Sequence, residues 1–231
     1  MAPSTRLVWA LALTGMVTAA LAGRAQDDGL APETLSQATP VFAFQSQGNR
    51  SALVFTRNAT AEGYAPRLFL ASRDGGWRLI QLSDDLANTN WIFAGRASTG
   101  DDVWAITQAS TGALTFVASQ NGGRNWRSRG SLQAVSPKAV VDLFSVNDDG
   151  KGTLILRLDE EDPNNPDGPR AGYYVYISKN GGKTWSDAIY SQGKPTPPPN
   201  LLLPPDRTFD AQQPLDVGAW QRLLLELQPV S

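Results

Sequence analysis

The densest group of oxygen-bearing side chains in the sequence is the acidic segment 159–168, which reads Asp-Glu-Glu-Asp-Pro-Asn-Asn-Pro-Asp-Gly. Carboxylate and amide oxygens gathered in one loop are the ligands that calcium prefers in proteins. The segment does not follow the spacing of an EF-hand, because two prolines interrupt it and no glutamate closes it at the twelfth position. We therefore predict a solvated, turn-rich insertion rather than a metal site.

The other side chains that usually perform chemistry are missing. The chain has no histidine and no cysteine, which removes the commonest general base, the commonest metal ligand and every thiolate ligand. Its formal net charge is −2 and it has no run of basic residues, so nucleic acid is not an expected partner. The tyrosine-rich stretch 173–176 is expected to lie within a strand and to pack across it. These residues predict no cofactor.

The first 25 residues have the pattern of an export signal. Arg6 supplies the positive n-region, residues 7–22 form an apolar run, and small residues offer cleavage sites at 20–22 or 23–25. A membrane anchor is the alternative, but the run of 16 residues is short of the about 20 that a spanning helix needs. We expect a secreted or periplasmic protein whose mature chain carries no membrane span.

The export signal gives a first testable expectation. The mature chain should begin at Gly23 or Gln26, because these residues follow the two cleavage sites. Mass spectrometry of the secreted or periplasmic protein checks this N-terminus. Intact Met1 in a soluble cytoplasmic pool would contradict it.

Three segments of the chain align with one another and form its main sequence signal. They begin 47 and then 59 residues apart, in the range of one four-stranded β-unit with loop variation. The segments are Ser72-Arg73-Asp74-Gly75-Gly76-Trp77, Ser119-Gln120-Asn121-Gly122-Gly123-Arg124-Asn125-Trp126 and Ser178-Lys179-Asn180-Gly181-Gly182-Lys183-Thr184-Trp185.

Each segment has the chemistry of a tight hairpin loop. A short Asp or Asn side chain accepts hydrogen bonds from nearby backbone N–H groups in an Asx-turn, and the glycines adopt positive φ. The tryptophan then begins the outgoing strand and packs beneath the loop. The first copy keeps Asp74 but lacks two residues before Trp77, so its loop must be tighter. An ordinary Asn-Gly hairpin followed by an aromatic residue is the alternative interpretation.

The segments resemble the Asp-box, or BNR repeat, of sialidases and related β-propellers, whose pattern is Ser-x-Asp-x-Gly-x-Thr-Trp. The second and third copies match the full spacing with Asn in place of Asp, and the resemblance covers roughly residues 40–191. It implies a structural role for the box residues Ser72, Asp74, Gly76, Trp77, Ser119, Asn121, Gly123, Trp126, Ser178, Asn180, Gly182, Thr184 and Trp185.

The resemblance raises the question of sialidase activity. Sialidases use three arginines to bind the substrate carboxylate, a Tyr paired with Glu as nucleophile and an Asp as acid/base. They also carry an Arg-Ile-Pro-like motif. No such motif is present in this sequence, and the sialidase domain has six blades and a much longer chain. A fold-level resemblance does not transfer an activity whose residues are missing, so we predict that the protein is not an enzyme.

Hairpin-linked apolar runs surround each box and predict an all-β, propeller-like array of about three four-stranded antiparallel units. Closed propellers have about four to eight blades, so three solutions remain open: a degenerate fourth blade, an open array, or assembly of two chains. The predicted strands are 41–45, 52–57, 68–72 and 77–82 in the first unit, 91–97, 103–108, 113–119 and 126–132 in the second, and 139–146, 153–159, 173–178 and 185–191 in the third.

The end of the chain departs from the repeat. Residues 192–213 are Pro-rich and unsuited to a central strand. Beyond them, the spacing of Val217, Trp220 and Leu224 predicts a helix with Asp216 as N-cap, whereas alternating leucines from 223 to 227 fit a closing strand equally well. The predicted organisation is a signal peptide at 1–25, a flexible lead-in at 26–39, the Asp-box β-repeat domain at 40–191, a Pro-rich linker at 192–213 and a C-terminal helix or closing strand at 214–231.

In a chain of consecutive hairpins, the connections alternate between the two ends of the strands. The boxes share one end with the turns between first and second strands. The loops between second and third strands, and those between units, lie at the opposite end, called here the long-loop end. The longest loops, 58–66 and 160–171, are predicted there, and long loops on a rigid scaffold are where binding usually resides. The candidate binding residues are Tyr64, Asp84, Asp85, Glu161 and Arg170.

The leading hypothesis is an exported, non-catalytic binding or scaffold module that recognises a glycan, a protein or an envelope component through the long-loop end. The alternative is a sialidase-like glycoside hydrolase with unconventional catalytic residues, which would require two carboxylates about 5 to 9.5 Å apart in a cleft. A homo-oligomer is a further arrangement that the three-unit array leaves open.

Overall fold

A computed structural model describes residues 38–45, 51–61, 63–72, 77–82, 86, 88–98, 101–147 and 150–209. The predicted signal peptide, nearly all of the lead-in and the C-terminal segment 214–231 lie outside the described residues. Within the described ranges, no helix is long and apolar enough to cross a membrane.

The described chain is built almost entirely of antiparallel strands in three sheets, which confirms the all-β, propeller-like prediction. Each sheet is a meander of four consecutive strands, and the two-residue β13 (Arg207–Thr208) joins the free edge of β1. The strands are β1 Thr39–Gln45, β2 Ser51–Thr60, β3 Gly63–Ser72 and β4 Trp77–Leu79 in the first sheet, β5 Thr89–Arg96, β6 Val103–Ala109, β7 Ala113–Ser119 and β8 Arg127–Gln133 in the second, and β9 Val140–Val146, β10 Gly152–Leu158, β11 Gly172–Ser178 and β12 Ile189–Ser191 in the third.

The predicted loop 58–66 is wrong, because β2 and β3 continue through it as a hairpin. Ala59 pairs with Tyr64 and Thr60 with Gly63, so the turn is far shorter than expected. Pro66 lies within β3 and pairs with Arg57 on one side only, because β4 pairs with β3 no nearer than Phe69. A proline is tolerated there, since its missing N–H faces an edge without a partner strand.

The two outermost strands of the first and third sheets are shorter than predicted. The strand expected at 77–82 ends at Leu79, and the strand expected at 185–191 occupies only Ile189–Ser191. Both strands follow a box loop. In the third sheet, the box loop and the residues after it, up to 188, are not part of a strand. Because β4 ends at Leu79, the part of β3 before Phe69 has no described partner strand on its outer side.

Aromatic side chains join consecutive sheets. Between the first and second sheets, the Phe55 ring lies 5.1 Å from Trp91 and 5.6 Å from Trp126, edge-on in both pairs. Between the second and third, Phe116 stacks on Trp185 at 4.8 Å. These contacts belong to two buried clusters, one in each inter-sheet space. The order of sheets in space therefore follows their order in the chain.

The Pro-rich segment predicted as a linker runs back over the sheets in its described part. We call residues 199–209 the strap. Leu201 bridges to Ser145 on β9, and Leu203 bridges to Arg96 on β5. Arg207–Thr208 then pairs with β1, so the strap crosses the first strand of each sheet in turn. Prolines donate no backbone hydrogen bond, which explains why contact is made at isolated residues between them.

Candidate binding cleft

The box loops of the second and third sheets have the same hydrogen-bonded geometry. In the second, the backbone N–H of Gly123 donates to Ser119 Oγ at 2.9 Å, and that of Asn125 donates to Asn121 Oδ1 at 2.9 Å. In the third, Gly182 donates to Ser178 Oγ at 2.9 Å and Thr184 to Asn180 Oδ1 at 3.0 Å. The four glycines of the two loops, Gly122, Gly123, Gly181 and Gly182, all have positive φ.

Both box loops are packed against the preceding sheet. A Cβ on Gly123 would lie 2.7 Å from the Leu53 side chain of the first sheet, and one on Gly182 would lie 3.6 Å from the Trp104 ring of the second. Trp126 also donates its Nε1–H to the Gly123 carbonyl at 2.9 Å. These contacts leave the buried side of the loops no room for a ligand. In the first copy, Asp74, Gly76 and the side chains of Ser72 and Trp77 lie outside the described residues.

Of the candidate binding residues, the three that the structure describes lie on two different sheets. Tyr64 lies on β3 of the first sheet, 38% exposed, with the Arg57 guanidinium carbon 4.3 Å from its ring centre. Glu161 and Arg170 lie in the loop between β10 and β11 of the third sheet. Asp84 and Asp85 lie outside the described residues.

Two tyrosine hydroxyls donate hydrogen bonds to the backbone of the loop between β10 and β11. The sequence analysis did not predict this role for either tyrosine. Tyr174 donates its hydroxyl to the Arg170 carbonyl at 2.7 Å, and Tyr190 donates to the Ala171 carbonyl at 3.0 Å. Burial raises the pKa of the Tyr174 hydroxyl above its usual value, so the hydroxyl stays protonated and donates at neutral pH. The Glu161 carboxylate accepts the Ala171 N–H at 3.4 Å. The backbone of this loop is therefore held in place.

A cleft of about 400 Å³ lies at the outer edge of the first sheet, on the long-loop end, where β4 stops short. Volumes of this size are ordinary for small-ligand sites. Its polar side chains are those of Thr60, Arg67, Gln81 and Asn88. Leu79, Leu82 and neighbouring aliphatic groups supply the apolar surface. The full lining is Thr60, Ala65, Pro66, Arg67, Leu79, Ile80, Gln81, Leu82, Leu86 and Asn88.

The wall behind the cleft is fixed by buried hydrogen bonds. The buried Trp91 donates its Nε1–H to the Thr56 carbonyl at 3.0 Å and to the Arg67 carbonyl at 3.3 Å. Thr89 donates its hydroxyl to the Leu86 carbonyl at 2.7 Å. The Arg67 backbone is thus held from behind, and its exposed guanidinium group makes only a long bond, 3.4 Å, to the Pro66 carbonyl among the described residues.

The sequence-predicted Tyr64 does not line this cleft, although the next residues along β3, Ala65 and Pro66, do. Asp84 and Asp85 belong to the segment between two lining residues, Leu82 and Leu86. Sequence reasoning missed Arg67, Gln81 and Asn88, and no periodicity or motif in the sequence distinguishes them. Within the described ranges, no group of three or more acidic side chains is arranged to hold a metal ion.

Comparison with known proteins finds only solved structures of low similarity to this chain. No protein-family model matches the sequence, and no curated protein matches it. The NanB sialidase of Streptococcus pneumoniae aligns at 16% identity and a TM-score of 0.40, over 56% of this chain and 19% of the sialidase. The GH62 α-L-arabinofuranosidase of Coprinopsis cinerea aligns at 10% identity and 0.30, over 71% of both chains.

A second α-L-arabinofuranosidase, from Podospora anserina and solved with cellotriose, aligns at 11% identity and a TM-score of 0.29, over 72% of this chain and 71% of the enzyme. This chain spans about a fifth (19%) of the sialidase's length. At such identities and TM-scores, the similarity defines neither an activity nor a set of catalytic residues for this chain.

Proposed function

We propose that this protein is an exported, non-catalytic binding module of the Asp-box type that takes a glycan in the cleft beside β3 and β4. The observation that carries the proposal is the composition of the cleft. A guanidinium group and two carboxamides, from Arg67, Gln81 and Asn88, line an apolar floor. A few convergent polar groups over an apolar surface are typical of small-ligand sites.

The chemistry of a sugar fits this lining. Sugar hydroxyls both donate and accept hydrogen bonds, which suits the carboxamides of Gln81 and Asn88, and the guanidinium group of Arg67 donates only. The C–H face of a sugar ring fits apolar side chains such as Leu79, which is 39% exposed.

Binding without turnover is favoured by the charges of the cleft. None of its described lining residues is acidic, whereas the usual glycosidase mechanism requires two carboxylates. The hydrolase alternative would have to recruit Asp84 and Asp85, which belong to the segment between Leu82 and Leu86. Substitution of Asp84 and Asp85 therefore distinguishes a hydrolase, which would lose turnover, from a binding module, which has no turnover to lose.

The test combines binding and hydrolysis measurements on the mature protein. A glycan array followed by calorimetry should identify a ligand whose affinity falls about tenfold or more in Arg67→Ala, because a hydrogen bond from a charged group contributes about 1.5–3 kcal/mol. Arg127→Ala, which removes an exposed arginine from β8 of the second sheet, is the matched control and should leave the affinity unchanged.

Fluorogenic sialosides and a broad glycoside panel should give no hydrolysis above buffer. Hydrolysis by the wild type that is lost in Asp84→Asn or Asp85→Asn would show that the protein is a hydrolase and would overturn the proposal of a binding module. Glycan affinity equal in Arg67→Ala and wild type would show that the ligand lies elsewhere and would overturn the assignment of this cleft.

A further inference from the structure

A second cavity lies on the third sheet, at the end of the strands that carries the box loop. Its volume is about 370 Å³, a size that is ordinary for small-ligand sites. Residues of β9, β10 and β11 form one wall, and the Pro-rich segment that crosses them forms the other. The cavity is therefore separate from the cleft of the first sheet, which lies at the long-loop end.

Two lysines oppose each other at this cavity. Gly152 of β10 pairs with Ser178 of β11, and the same register continued by one residue places Lys151 opposite Lys179. Directly opposed residues of an antiparallel pair lie on the same face, with Cβ atoms about 4.5–5.5 Å apart. Both lysines line the cavity, so two positive charges lie side by side at its edge.

The backbone around these lysines is fixed by hydrogen bonds. The Gly181 N–H donates to the Gly150 carbonyl at 2.6 Å, which ties the turn before Lys151 to the box loop after Lys179. The Lys151 N–H donates to Asn147 Oδ1 at 2.8 Å. Because that oxygen is occupied, the Asn147 carboxamide has its NH₂ group left to offer a ligand, and this group only donates.

The two positive charges are not neutralised by the described part of the chain. Lys194, on the same sheet, pairs with Asp142 at 3.1 Å, whereas neither lysine of the cavity forms an ion pair with a described residue. None of the described lining residues is acidic, and Asp148 and Asp149 lie outside the described residues. Like charges directly opposite each other destabilise a strand pair, and an anion between the two ammonium groups would relieve that repulsion.

The rest of the cavity offers an apolar surface. Ile177 is 41% exposed and lies on the face that points away from the second sheet, because its neighbour Tyr176 belongs to the core cluster between the two sheets. Pro198 and Pro199 line the opposite wall. Ser145 holds this wall in place by donating its hydroxyl to the Pro199 carbonyl at 2.7 Å. A ligand with an apolar body would remove part of the Ile177 side chain from water, which favours binding.

We propose that this cavity binds a small amphiphilic anion. The carboxylate or phosphate group of the ligand lies between Lys151 and Lys179, and its apolar body packs against Ile177 and the two prolines. The site goes beyond the proposed glycan cleft and does not depend on it, since the two lie on different sheets and share no lining residue.

Calorimetric titration of the mature protein with probes that share one alkyl chain tests the charge of the ligand. Octanoate and octyl phosphate are anionic, 1-octanol is neutral and octylamine is cationic, and all are used below their micelle concentrations. The two anions should bind, and the neutral and cationic probes should bind at least about tenfold more weakly because they lack the attraction to both lysines. The affinity for the anions should fall as ionic strength rises, since exposed charges are screened by salt.

Substitutions locate the site. Lys151→Ala and Lys179→Ala should each weaken octanoate binding about fivefold, the effect of removing one solvent-exposed charge about 4 Å from the anion. Lys183→Ala is the matched control, because Lys183 is an exposed lysine of the same box loop that does not line the cavity. Ile177→Ser should weaken binding of both anions and leave its dependence on ionic strength unchanged.

A preference between octanoate and octyl phosphate identifies the head group and supports the proposal. Equal affinities for octanoate and 1-octanol would overturn it, as would equal losses in Lys179→Ala and Lys183→Ala, which would mean that diffuse surface charge attracts the anion. Binding to anionic lipid vesicles without binding to either free anion would make a membrane surface the ligand, and no binding of any probe would show that the cavity is not a site. Both of these results also overturn the proposal, and none of them affects the test of the glycan cleft with Arg67→Ala.

Discussion

Replacing Trp185 with Ala is expected to lower the free energy of unfolding by about 3 to 5 kcal/mol, as for other large aromatic residues removed from protein cores. The Trp185 ring stacks on Phe116 of the second sheet at 4.8 Å and lies 6.1 Å from Phe144 of its own sheet. The substitution therefore removes the stacking contact between the second and third sheets. Denaturant unfolding monitored by circular dichroism measures the loss.

Trp126→Ala should have an effect of the same size at the other inter-sheet contact. Its ring lies 5.6 Å from Phe55 and its Nε1–H donates to the Gly123 carbonyl. Lys179→Ala, which changes an exposed side chain of the third box loop, is the control and should change the stability by less than about 0.5 kcal/mol. Losses below about 1 kcal/mol in both tryptophan variants would mean that the boxes do not hold the sheets together. A smaller loss for Trp77→Ala stays a prediction.

The local part of the fold could be predicted because strands and hairpin turns are encoded by neighbouring residues. The strand expected at 113–119 is found at Ala113–Ser119, between the turn at Gly112 and the second box loop. Alternating apolar residues and a glycine with positive φ suffice to define such a strand. The same reasoning placed the four-strand meander in each of the three sheets.

The misplaced loop at 58–66 has a specific physical cause. Gly63 and Pro66 favour a turn in isolation, but β2 continues through Asn58, Ala59 and Thr60 and offers a full row of backbone partners. Proline is disfavoured in strands because it lacks a backbone N–H donor, but no described strand pairs with Pro66 on its far side, so no hydrogen bond is lost there. Pairing with one long neighbour therefore overrides the local turn preference, and a sequence pattern does not show where the neighbouring β4 ends.

The candidate cleft could not be predicted for the same reason. It exists because β4 ends at Leu79 and the chain turns toward the second sheet, so Gln81, Leu82 and Asn88 come to face Arg67 of β3. No motif connects these residues. The cleft lies at the end of the sheets where the sequence predicted the long loops, because alternation of hairpin connections is a topological rule that needs no side-chain detail. A binding role for Tyr64 stays a prediction.

The strap is the longest-range feature of the fold and ties the three sheets together. Arg96 of β5 donates to the Gln45 carbonyl of β1 at 2.8 Å and pairs with Asp206 of the strap at 3.4 Å. Asp206 also accepts the Gln45 N–H at 2.6 Å. The strap therefore meets the first and second sheets at one polar junction, while Ser145 of the third sheet donates to the Pro199 and Asn200 carbonyls. The strap thus pairs with part of the free edge of β1 and bridges β5 and β9 at one residue each.

Leu202→Ala is the second substitution with a large expected effect, about 2 to 5 kcal/mol of unfolding free energy, as for buried leucines truncated to alanine. Leu202 is 9% exposed and belongs to the core cluster between the second and third sheets. It fits against Gly95 of β5, where an added Cβ would lie 2.7 Å from the Leu202 Cβ. Differential unfolding in denaturant measures the loss.

The two neighbours of Leu202 provide a matched control within the strap. Leu201 and Leu203 are each 38% exposed, yet their backbones bridge to the first strands of the third and second sheets. An alanine substitution keeps those backbone bridges and removes only half-exposed methyl groups, so Leu201→Ala and Leu203→Ala should each cost about 1 kcal/mol or less. Equal losses at 201, 202 and 203 would mean that the strap lies loosely on the sheets, whereas a loss concentrated at 202 means that one leucine side chain locks it between them.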